Sequence, residues 1–238
     1  MELTEALGVL KAFSFVTEDN NGSYDMHRLV QLVTRKGLAN CGTVSRFEKK
    51  ALLMLSHLYP VGTYEIRMTC GAYLSHANAV LQSCKFRSEE EAEAKTSLLH
   101  CMAGYFTFEG KSSDAEALHI EATRIRRELF GEGNPSTLES MANLASTFRK
   151  QSQWKEAESL ELKVMETTQR VLGEEYPSTL TSMANLAFTL HAQDRFEEAV
   201  GLMHTCVSLR QRILGSAHPY TKSSVETLKL WEQEDSTA

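Results

Sequence analysis

A stretch of 42 residues occurs twice in succession near the C-terminus of the chain. Residues 135–176 and 177–218 are identical at 19 of 42 aligned positions, and both begin Pro-Ser-Thr-Leu. Self-similarity at a period of about 20–50 residues is typical of repeat architectures, in which each unit buries its apolar face only against its neighbours. The repeat therefore restricts the fold to a stack of similar units.

Each repeat is predicted to form two helices. Leu138, Met141 and Leu144 recur at helical spacing in the first half of a unit, and Ala157 and Leu160 do so in the second half. A proline opens each unit, at a position where the first turn of a helix tolerates the missing N–H. Glycines spaced by 42 residues stand where a helix C-terminus needs a left-handed residue. The predicted fold class is mainly α, a solenoid of helix-turn-helix repeats.

The pattern extends beyond the two matching units. An earlier unit is more divergent, and a single helix follows the last unit, where it would cover the end of the apolar stack. The predicted boundaries are a divergent repeat 1 at 93–134, repeat 2 at 135–176, repeat 3 at 177–218, and a capping helix and tail at 219–238.

The first part of the chain lacks the repeat. Its predicted elements are a short helix over 3–10, strands at 13–16 and 23–26 with a turn at 19–22, and helices from 28 to Gly37 or Asn40, from 45 to 58 and from 65 to 82. Helix, hairpin and helix follow one another in this order in a winged-helix subdomain. We therefore predict a winged-helix-like region at 1–60 and a helical linker at 61–92.

The repeat motif resembles a known family. Leu144-Ala145, the segment Trp154 to Glu158, and Arg170 to Gly173 before Pro177 are similar to the 42-residue tetratricopeptide repeats of kinesin light chains. They resemble still more the C-terminal repeats of fungal NB-ARC proteins, which are NLR-like signalling ATPases. The resemblance covers roughly 93–232. It implies a non-enzymatic module that binds a peptide or partner protein in the concave repeat groove, as an adaptor or as the sensor end of an NLR-like protein.

The N-terminal residues resemble the winged-helix end of the same family. Met26-His27-Arg28 matches the place of the family's Met-His-Asp motif, with Arg28 in place of the aspartate. The resemblance implies that His27 contacts a nucleotide in an intact relative; in this chain alone it is predicted at a helix N-terminus. Because no nucleotide-binding core precedes Met1, we expect a fragment, a truncated gene or a member that has lost this core. The alternative function is a regulatory fragment that docks in trans on an NB-ARC protein through residues 1–60.

Two asparagines recur in the first helices. In related repeats such asparagines face the groove and bond to the main chain of a peptide, and Asn143 and Asn185 occupy such positions. An amide suits this task because it both donates and accepts. The sequence equally allows structural asparagines that bond between neighbouring helices. Arg149, Lys150 and His191 lie near the same helix ends and are predicted to meet acidic ligand groups. The second-helix arginines are assigned to the outer face, for solubility and pairing between repeats: Arg124, Arg126, Arg127, Arg170 and Arg212.

Other chemistries find little support. Five residues rather than four separate Gly104 from Gly110, so the segment from Gly104 to Ser112 is a poor phosphate loop. The repeat register also places Gly110-Lys111-Ser112 in a helix–helix turn. The histidines lack metal-ligand spacing, and no catalytic set stands out, so neither an enzyme nor a cofactor is predicted. Binding of DNA is less favoured, on a net charge of −6; it would use the basic stretch Arg28, Arg35, Lys36, Arg46, Lys49 and Lys50.

The remaining sequence features concern the cellular setting. The five cysteines form no Cys-x-x-Cys pair, and we expect them to be reduced and mostly buried. No apolar run approaches the roughly 18–20 residues of a membrane span, and the acidic start does not resemble a secretory signal. The sequence thus predicts a cytoplasmic protein without a membrane partner.

Overall fold

A computed structural model describes residues 16–18, 24–26, 28–60, 67–83 and 88–235. Within these ranges the elements are β1 (Val16–Glu18), β2 (Tyr24–Met26), α1 (Arg28–Asn40), α2 (Val44–Leu58), α3 (Arg67–Ser83), α4 (Glu89–Phe108), α5 (Ser112–Phe130), α6 (Pro135–Lys150), α7 (Trp154–Leu172), α8 (Pro177–His191), α9 (Phe196–Leu214) and α10 (Pro219–Asp235). From α4 onward each helix packs on the next in chain order. The predicted mainly α stack is confirmed.

The predicted hairpin is also present. Strands β1 and β2 are antiparallel, with Val16 opposite Met26 and Thr17 opposite Asp25. The first strand runs from Val16 to Glu18, later than the predicted 13–16. Residues 13–15, the predicted turn and the predicted helix over 3–10 lie outside the described residues.

Helix ends in the repeats follow the local signals in the sequence. Prolines are the first residues of α6, α8 and α10, where the absence of an N–H donor costs nothing. Helices α5, α7 and α9 are each followed by a C-cap glycine. These glycines, Gly131, Gly173 and Gly215, have φ values of 80°, 95° and 82°. A side chain would be strained in this conformation. The 42-residue period of both signals therefore sets the 42-residue period of the helix pairs.

The turns between the two helices of each pair all contain one residue with a positive φ. Gly110, Ser152 and Asp194 stand 42 residues apart and have φ values of 74°, 60° and 61°. Gly110 thus provides the left-handed residue between α4 and α5. The end of the segment that resembles a phosphate loop, at Gly110 and Lys111, therefore lies in a helix–helix turn, as the repeat register predicted, whereas Gly104 lies within α4.

The core is a series of layers between successive helices. Alanines spaced by 42 residues, Ala115, Ala157 and Ala199, are fully buried at the start of each second helix. Such small side chains let neighbouring helices approach closely. At the C-terminal end Leu180, Met203 and Trp231 pack in one cluster, so α10 covers the last layer. A second cluster joins α2, α3 and α4.

Candidate functional site

The predicted ligand-binding residues lie on two first helices. Asn143, Arg149 and Lys150 belong to α6, and Asn185 and His191 belong to α8. Lys150 is exposed, and the other four are half-buried. His27 lies outside the described residues, so its contact with a nucleotide remains a prediction.

Asn143 connects two neighbouring first helices. Its amide nitrogen lies 3.3 Å from Nδ1 of His100 on α4. This contact is of the kind expected for a structural asparagine, the alternative that the sequence left open. An amide has further donor and acceptor capacity beyond one bond, so the contact is compatible with a ligand-binding role as well.

Asn185 has a different setting, although it stands one repeat after Asn143. It lines a cavity of about 300 Å³ between α6 and α8, with Ala142 on the opposite wall. Its backbone carbonyl lies 3.5 Å from Nη1 of Arg149. The structure therefore brings together Asn185 and Arg149, two of the predicted site residues.

Arg149 also faces an acidic group of the protein itself. Its Nε lies 3.5 Å from Oε1 of Glu161 on α7, a carboxylate that is almost completely buried. Thr189 Oγ1 donates to the other carboxylate oxygen at 2.5 Å. Burial raises the pKa of Glu161, and the Thr189 hydrogen bond and the Arg149 charge act in the opposite direction. A ligand carboxylate at Arg149 would compete with this internal partner.

A pair of histidines lies near the amino-terminal end of the repeats. The rings of His100 and His119 are 5.4 Å apart. Burial lowers the pKa of His119 to about 4, and the charges of His100 and Lys150 act in the same direction. Burial also lowers the pKa of His100. Both imidazoles are therefore neutral at neutral pH, and Lys150 contributes the positive charge here.

His191 belongs to an aromatic cluster at the other end of the repeats. Its ring stacks on Trp231 of α10, with centroids 4.3 Å apart and planes 16° apart. Phe196 meets the same imidazole edge-on at 5.0 Å, and Phe188 meets the edge of Trp231 at 5.4 Å. Phe188 and Phe196 remain about two-fifths exposed, so the cluster presents an aromatic surface beside α8.

One of the arginines assigned to the outer face is buried. Arg126 is only 5% exposed, because its guanidinium lies between α4 and α6. The outer-face prediction is therefore wrong for this residue, although the predicted pairing between repeats is formed. Its acceptors are Thr96 Oγ1, Ser136 O, Ser140 Oγ and the carboxylates of Glu93 and Glu139. The other four are exposed: Arg124, Arg127, Arg170 and Arg212.

Two functional candidates were missed by reasoning from the sequence. Glu161 was not distinguished from the exposed acids of the second helices. Arg210, which lines the 300 Å³ cavity, is 6% exposed. A signal for it existed, since Arg210 follows Arg126 by two repeats of 42 residues.

One lysine of the basic stretch that could bind DNA forms an ion pair within the chain. Lys49, part of the basic stretch, donates to Glu90 at 2.6 Å and so is already paired with an acid. Over the described ranges no group of three or more potential metal ligands is found. No helix in those ranges is long and apolar enough to span a membrane.

Comparison with known families identifies the helix pairs. Residues 95–170 and 179–220 match two family models, each described as tetratricopeptide repeat. Both segments are tetratricopeptide repeats. This fold is a scaffold for protein interaction and not a catalytic one, in agreement with the prediction that the chain is not an enzyme.

Solved structures show the same fold. A Podosopora anserina putative kinesin light chain with nearly identical TPR-like repeats superimposes with a TM-score of 0.61 at 23% identity, over 81% of this chain and 86% of that one. BtubC (BKLC) from P. vanneervenii gives a TM-score of 0.60 at 19% identity, over 71% of this chain and 68% of that one. At these identities the likeness concerns the fold alone.

The repeat region is similar to part of a much longer fungal protein. A nucleotide-binding leucine-rich repeat (NLR)-like protein of Hyaloscypha variabilis is 36% identical over 138 residues, which are 58% of this chain. This chain spans only 14% of that relative's length. The predicted resemblance to fungal NLR-like proteins is confirmed for the repeat region.

Proposed function

We propose that this chain binds a peptide or a partner protein in the groove lined by the first helices α4, α6 and α8. The observation that carries the proposal is the position of Asn185, which lines the cavity of about 300 Å³ between α6 and α8. The tetratricopeptide repeats supply the scaffold, and the NLR-like relative suggests the context, the sensor end of a signalling protein or an adaptor.

The composition of the cavity wall suits a peptide. Leu138, Val164 and Leu172 provide apolar surface, and Asn185 and Ser178 provide polar groups. Ligand sites commonly combine an apolar wall with a few polar groups that fix orientation. The Asn185 amide can donate to and accept from a peptide backbone at once, which supports recognition of main chain.

The proposal includes the division of the chain into regions. A winged-helix-like region at 1–60 and a helical linker at 61–92 precede repeats at 93–134, 135–176 and 177–218, and the capping helix with its tail follows at 219–238. In this proposal the protein acts in the cytoplasm on protein partners, and Asn143, Arg149, Lys150 and His191 extend the binding surface along α6 and α8.

Peptides selected from a random library on the wild-type protein test the groove. The double variant Asn143→Ala/Asn185→Ala should weaken the selected peptides by about 3- to 10-fold for each amide that bonds to peptide backbone. Fluorescence anisotropy gives the dissociation constants, and circular dichroism checks the thermal midpoint. The matched control is Asn40→Ala/Asn78→Ala, which removes two exposed amides outside the repeats. Equal affinity of the two double variants would refute the groove assignment.

A second candidate function concerns the helices before the repeats. Apolar side chains on α1 and α2 are exposed, among them Val33 at 70%, Met54 at 63% and Phe47 at 49%. Exposed apolar sets of this kind often mark protein interfaces. The observation favours docking in trans on the nucleotide-binding domain of an NB-ARC protein, the alternative that the family resemblance raised.

Point variants separate this candidate from the groove. Val33→Glu/Met54→Lys should abolish co-purification with the separately expressed nucleotide-binding region of the Hyaloscypha relative, while peptide binding to the repeats stays intact. The exposed pair Gln211→Glu/Ser208→Lys on α9 serves as the charge-matched control, because both double variants leave the net charge unchanged. Retained co-purification in the first variant would exclude docking through α1 and α2.

A further inference from the structure

Arg210 places a buried positive charge at the cavity. Its Nη1 donates to Tyr220 O at 3.2 Å and to Ser224 Oγ at 2.5 Å, and its Nη2 donates to Leu180 O at 3.3 Å. These bonds use three of the five N–H donors of a guanidinium. Across the part of the chain that the structure describes, no carboxylate lies within ion-pair distance of Arg210.

Arg126, which stands two repeats before Arg210, has the side-chain acceptors that Arg210 lacks. Arg126 Nε donates to Thr96 Oγ1 at 3.0 Å, and its Nη2 donates to Glu93 Oε1 at 3.1 Å. These two donors share one edge of the guanidinium, which can hold a carboxylate side-on. In the register of 84 residues, Leu180 replaces Thr96 and Pro177 replaces Glu93. The same edge of Arg210 has therefore lost both side-chain acceptors.

The Nη1 contacts of the two arginines, by contrast, are equivalent. Arg126 bonds to Ser136 O and Ser140 Oγ, and these positions correspond to the Tyr220 carbonyl and Ser224 Oγ that Arg210 bonds. The two arginines thus share their Nη1 contacts. At the Nε and Nη2 edge, Arg210 has the Leu180 carbonyl in place of the Thr96 hydroxyl and the Glu93 carboxylate. Among the described residues only hydroxyl and carbonyl oxygens and the Tyr220 ring, whose centroid lies 5.7 Å from Cζ, face the guanidinium of Arg210. A buried charge without a counter-ion is costly, so this site favours an anion.

The middle repeat provides the room for that anion. Thr168 occupies the position between Arg126 and Arg210 in the register. Its short side chain donates to Met165 O at 2.9 Å and lies 3.2 Å from the Ser182 hydroxyl oxygen. The cavity of about 300 Å³ lies here, and Thr168, Pro177 and Arg210 all line it. The cavity wall thus includes Pro177, which replaces Glu93, and the guanidinium of Arg210, which has no carboxylate partner.

The start of α8 adds a second attraction for an anion. In α6 the side chain of Asn134 caps the N–H of Ser136, and in α10 the N–H of Tyr220 donates to His218 Nδ1. Tyr176, the N-cap residue of α8, makes no such bond. Pro177 and Ser178 at this helix start line the cavity, and a helix N-terminus favours negative charge.

We propose that this cavity binds a carboxylate of the partner peptide, held side-on by the Nε and Nη2 edge of Arg210 in the place that Glu93 takes on Arg126. The assignment rests on the proposed peptide-binding function and adds to it a preference for an acidic ligand residue. Its ligand contact comes from a second helix, whereas the groove asparagines stand on first helices.

Nuclear magnetic resonance of the arginine Nε–H groups tests the contact directly. Titration with acetyl-Gly-Glu-Gly-amide should shift the Arg210 Nε–H signal saturably and leave that of Arg126 in place, and Arg210→Lys identifies the signal by its loss. The isosteric acetyl-Gly-Gln-Gly-amide should have no effect. A shift with acetyl-Gly-Gly-Gly carrying a free C-terminus, and none with the Glu peptide, would assign the site to a C-terminal carboxylate. An unshifted Arg210 signal with both acids, or an equal shift with the Gln peptide, would overturn the proposal.

Two substitutions of the cavity provide an independent check. Pro177→Glu restores the missing acid inside the chain, so it should raise the thermal midpoint above that of Pro177→Gln and weaken the Glu peptide by about 10- to 100-fold. In an Arg210→Gln background, Pro177→Glu should no longer have a higher thermal midpoint than Pro177→Gln. A difference that persists there would mean that the new carboxylate acts only on the helix N-terminus. Thr168→Arg should fill the cavity, bond to Ser182 and the Ser178 carbonyl, and also abolish the shift. A Glu peptide that still binds to Pro177→Glu or Thr168→Arg with wild-type affinity would refute the site.

The outcomes distinguish this inference from the proposed function. Library-selected peptides that need Asn143 and Asn185, together with an unshifted Arg210 signal, would retain the groove and reject the carboxylate site. A specific Arg210 shift, together with unaltered binding by the double asparagine variant, would retain the carboxylate site and reject the groove.

Discussion

Thr189 Oγ1 donates a hydrogen bond of 2.5 Å to Glu161 Oε2, so a buried carboxyl group joins α7 to α8 inside the repeat stack. Arg149 of α6 approaches the other oxygen at 3.5 Å. The equivalent positions in the neighbouring repeats carry His119 and Met203. The carboxyl group is thus a feature of the middle repeat among these three positions, and its ionisation couples the stability of the stack to pH.

Glu161→Gln should reveal this coupling. Burial raises the pKa of Glu161 above that of the unfolded chain. The stabilisation by this carboxyl is therefore complete below the unfolded pKa of about 4.3 and is lost as the pH rises through the raised folded pKa. The neutral amide avoids the loss, so the thermal midpoint of Glu161→Gln relative to wild type should increase over this window and then level off.

Circular dichroism melts from pH 4 to pH 8 measure the difference. Glu166→Gln, an exposed position on the same helix, should show no comparable trend. A relative midpoint of Glu161→Gln that falls with rising pH would mean that the Arg149 charge dominates over burial.

Substitution by glycine of the turn residues with a left-handed backbone should increase the stability of the protein. Ser152 has a φ of 60° at the position that Gly110 occupies one repeat earlier. A side chain costs about 1–2 kcal/mol in this conformation, with Asp and Asn better tolerated. We expect Ser152→Gly to stabilise by about 1 kcal/mol and Asp194→Gly by less, whereas Gly110→Ala should destabilise. Urea unfolding measures all three, and a loss of stability in Ser152→Gly would contradict the strain argument.

Much of the repeat fold could be predicted because its signals are local. A proline that opens α8 and a glycine that ends α7 act within one turn of the helix, and their period is visible in the chain. The turn at Gly110 followed from the same register. The position of β1 was predicted less well, since a three-residue strand carries little pattern.

The candidate site could be predicted only in part. The 42-residue register shows that Asn143 and Asn185 occupy equivalent positions on α6 and α8. Their neighbours depend on which side chains the adjacent repeats place opposite them. His100 opposes one amide and a cavity lies beside the other. Arg126 looked like a surface residue because its acceptors come from residues 10 to 33 positions away. Such contacts require the packed structure.

The burial of Arg126 leads to a sharp contrast between two arginines on α5. Arg126→Ala would remove the bonds of a buried guanidinium to Thr96, Ser140 and Glu93. Because the Glu93 side chain is 44% exposed, we expect a loss of about 1.5–3 kcal/mol, the range for hydrogen bonds to a charged group. Arg124 forms only an exposed pair with Glu128, four residues along the helix, so Arg124→Ala should cost about 0.5 kcal/mol or less. Chemical denaturation compares the two, and similar losses in both variants would contradict the central place of Arg126 between α4 and α6.

The capping helix should behave as the end of a one-dimensional stack. Trp231 is 8% exposed and stacks on His191, whereas its neighbour Leu230 is 60% exposed. Trp231→Ala should cost about 3–5 kcal/mol locally and Leu230→Ala about 0.5 kcal/mol or less. Because each repeat contacts only its neighbours, the loss should spread from α10 into α9 and leave the cluster of α2, α3 and α4 unchanged. Amide hydrogen exchange resolves the helices separately; equal acceleration throughout the described helices would show instead that the stack unfolds as one cooperative unit.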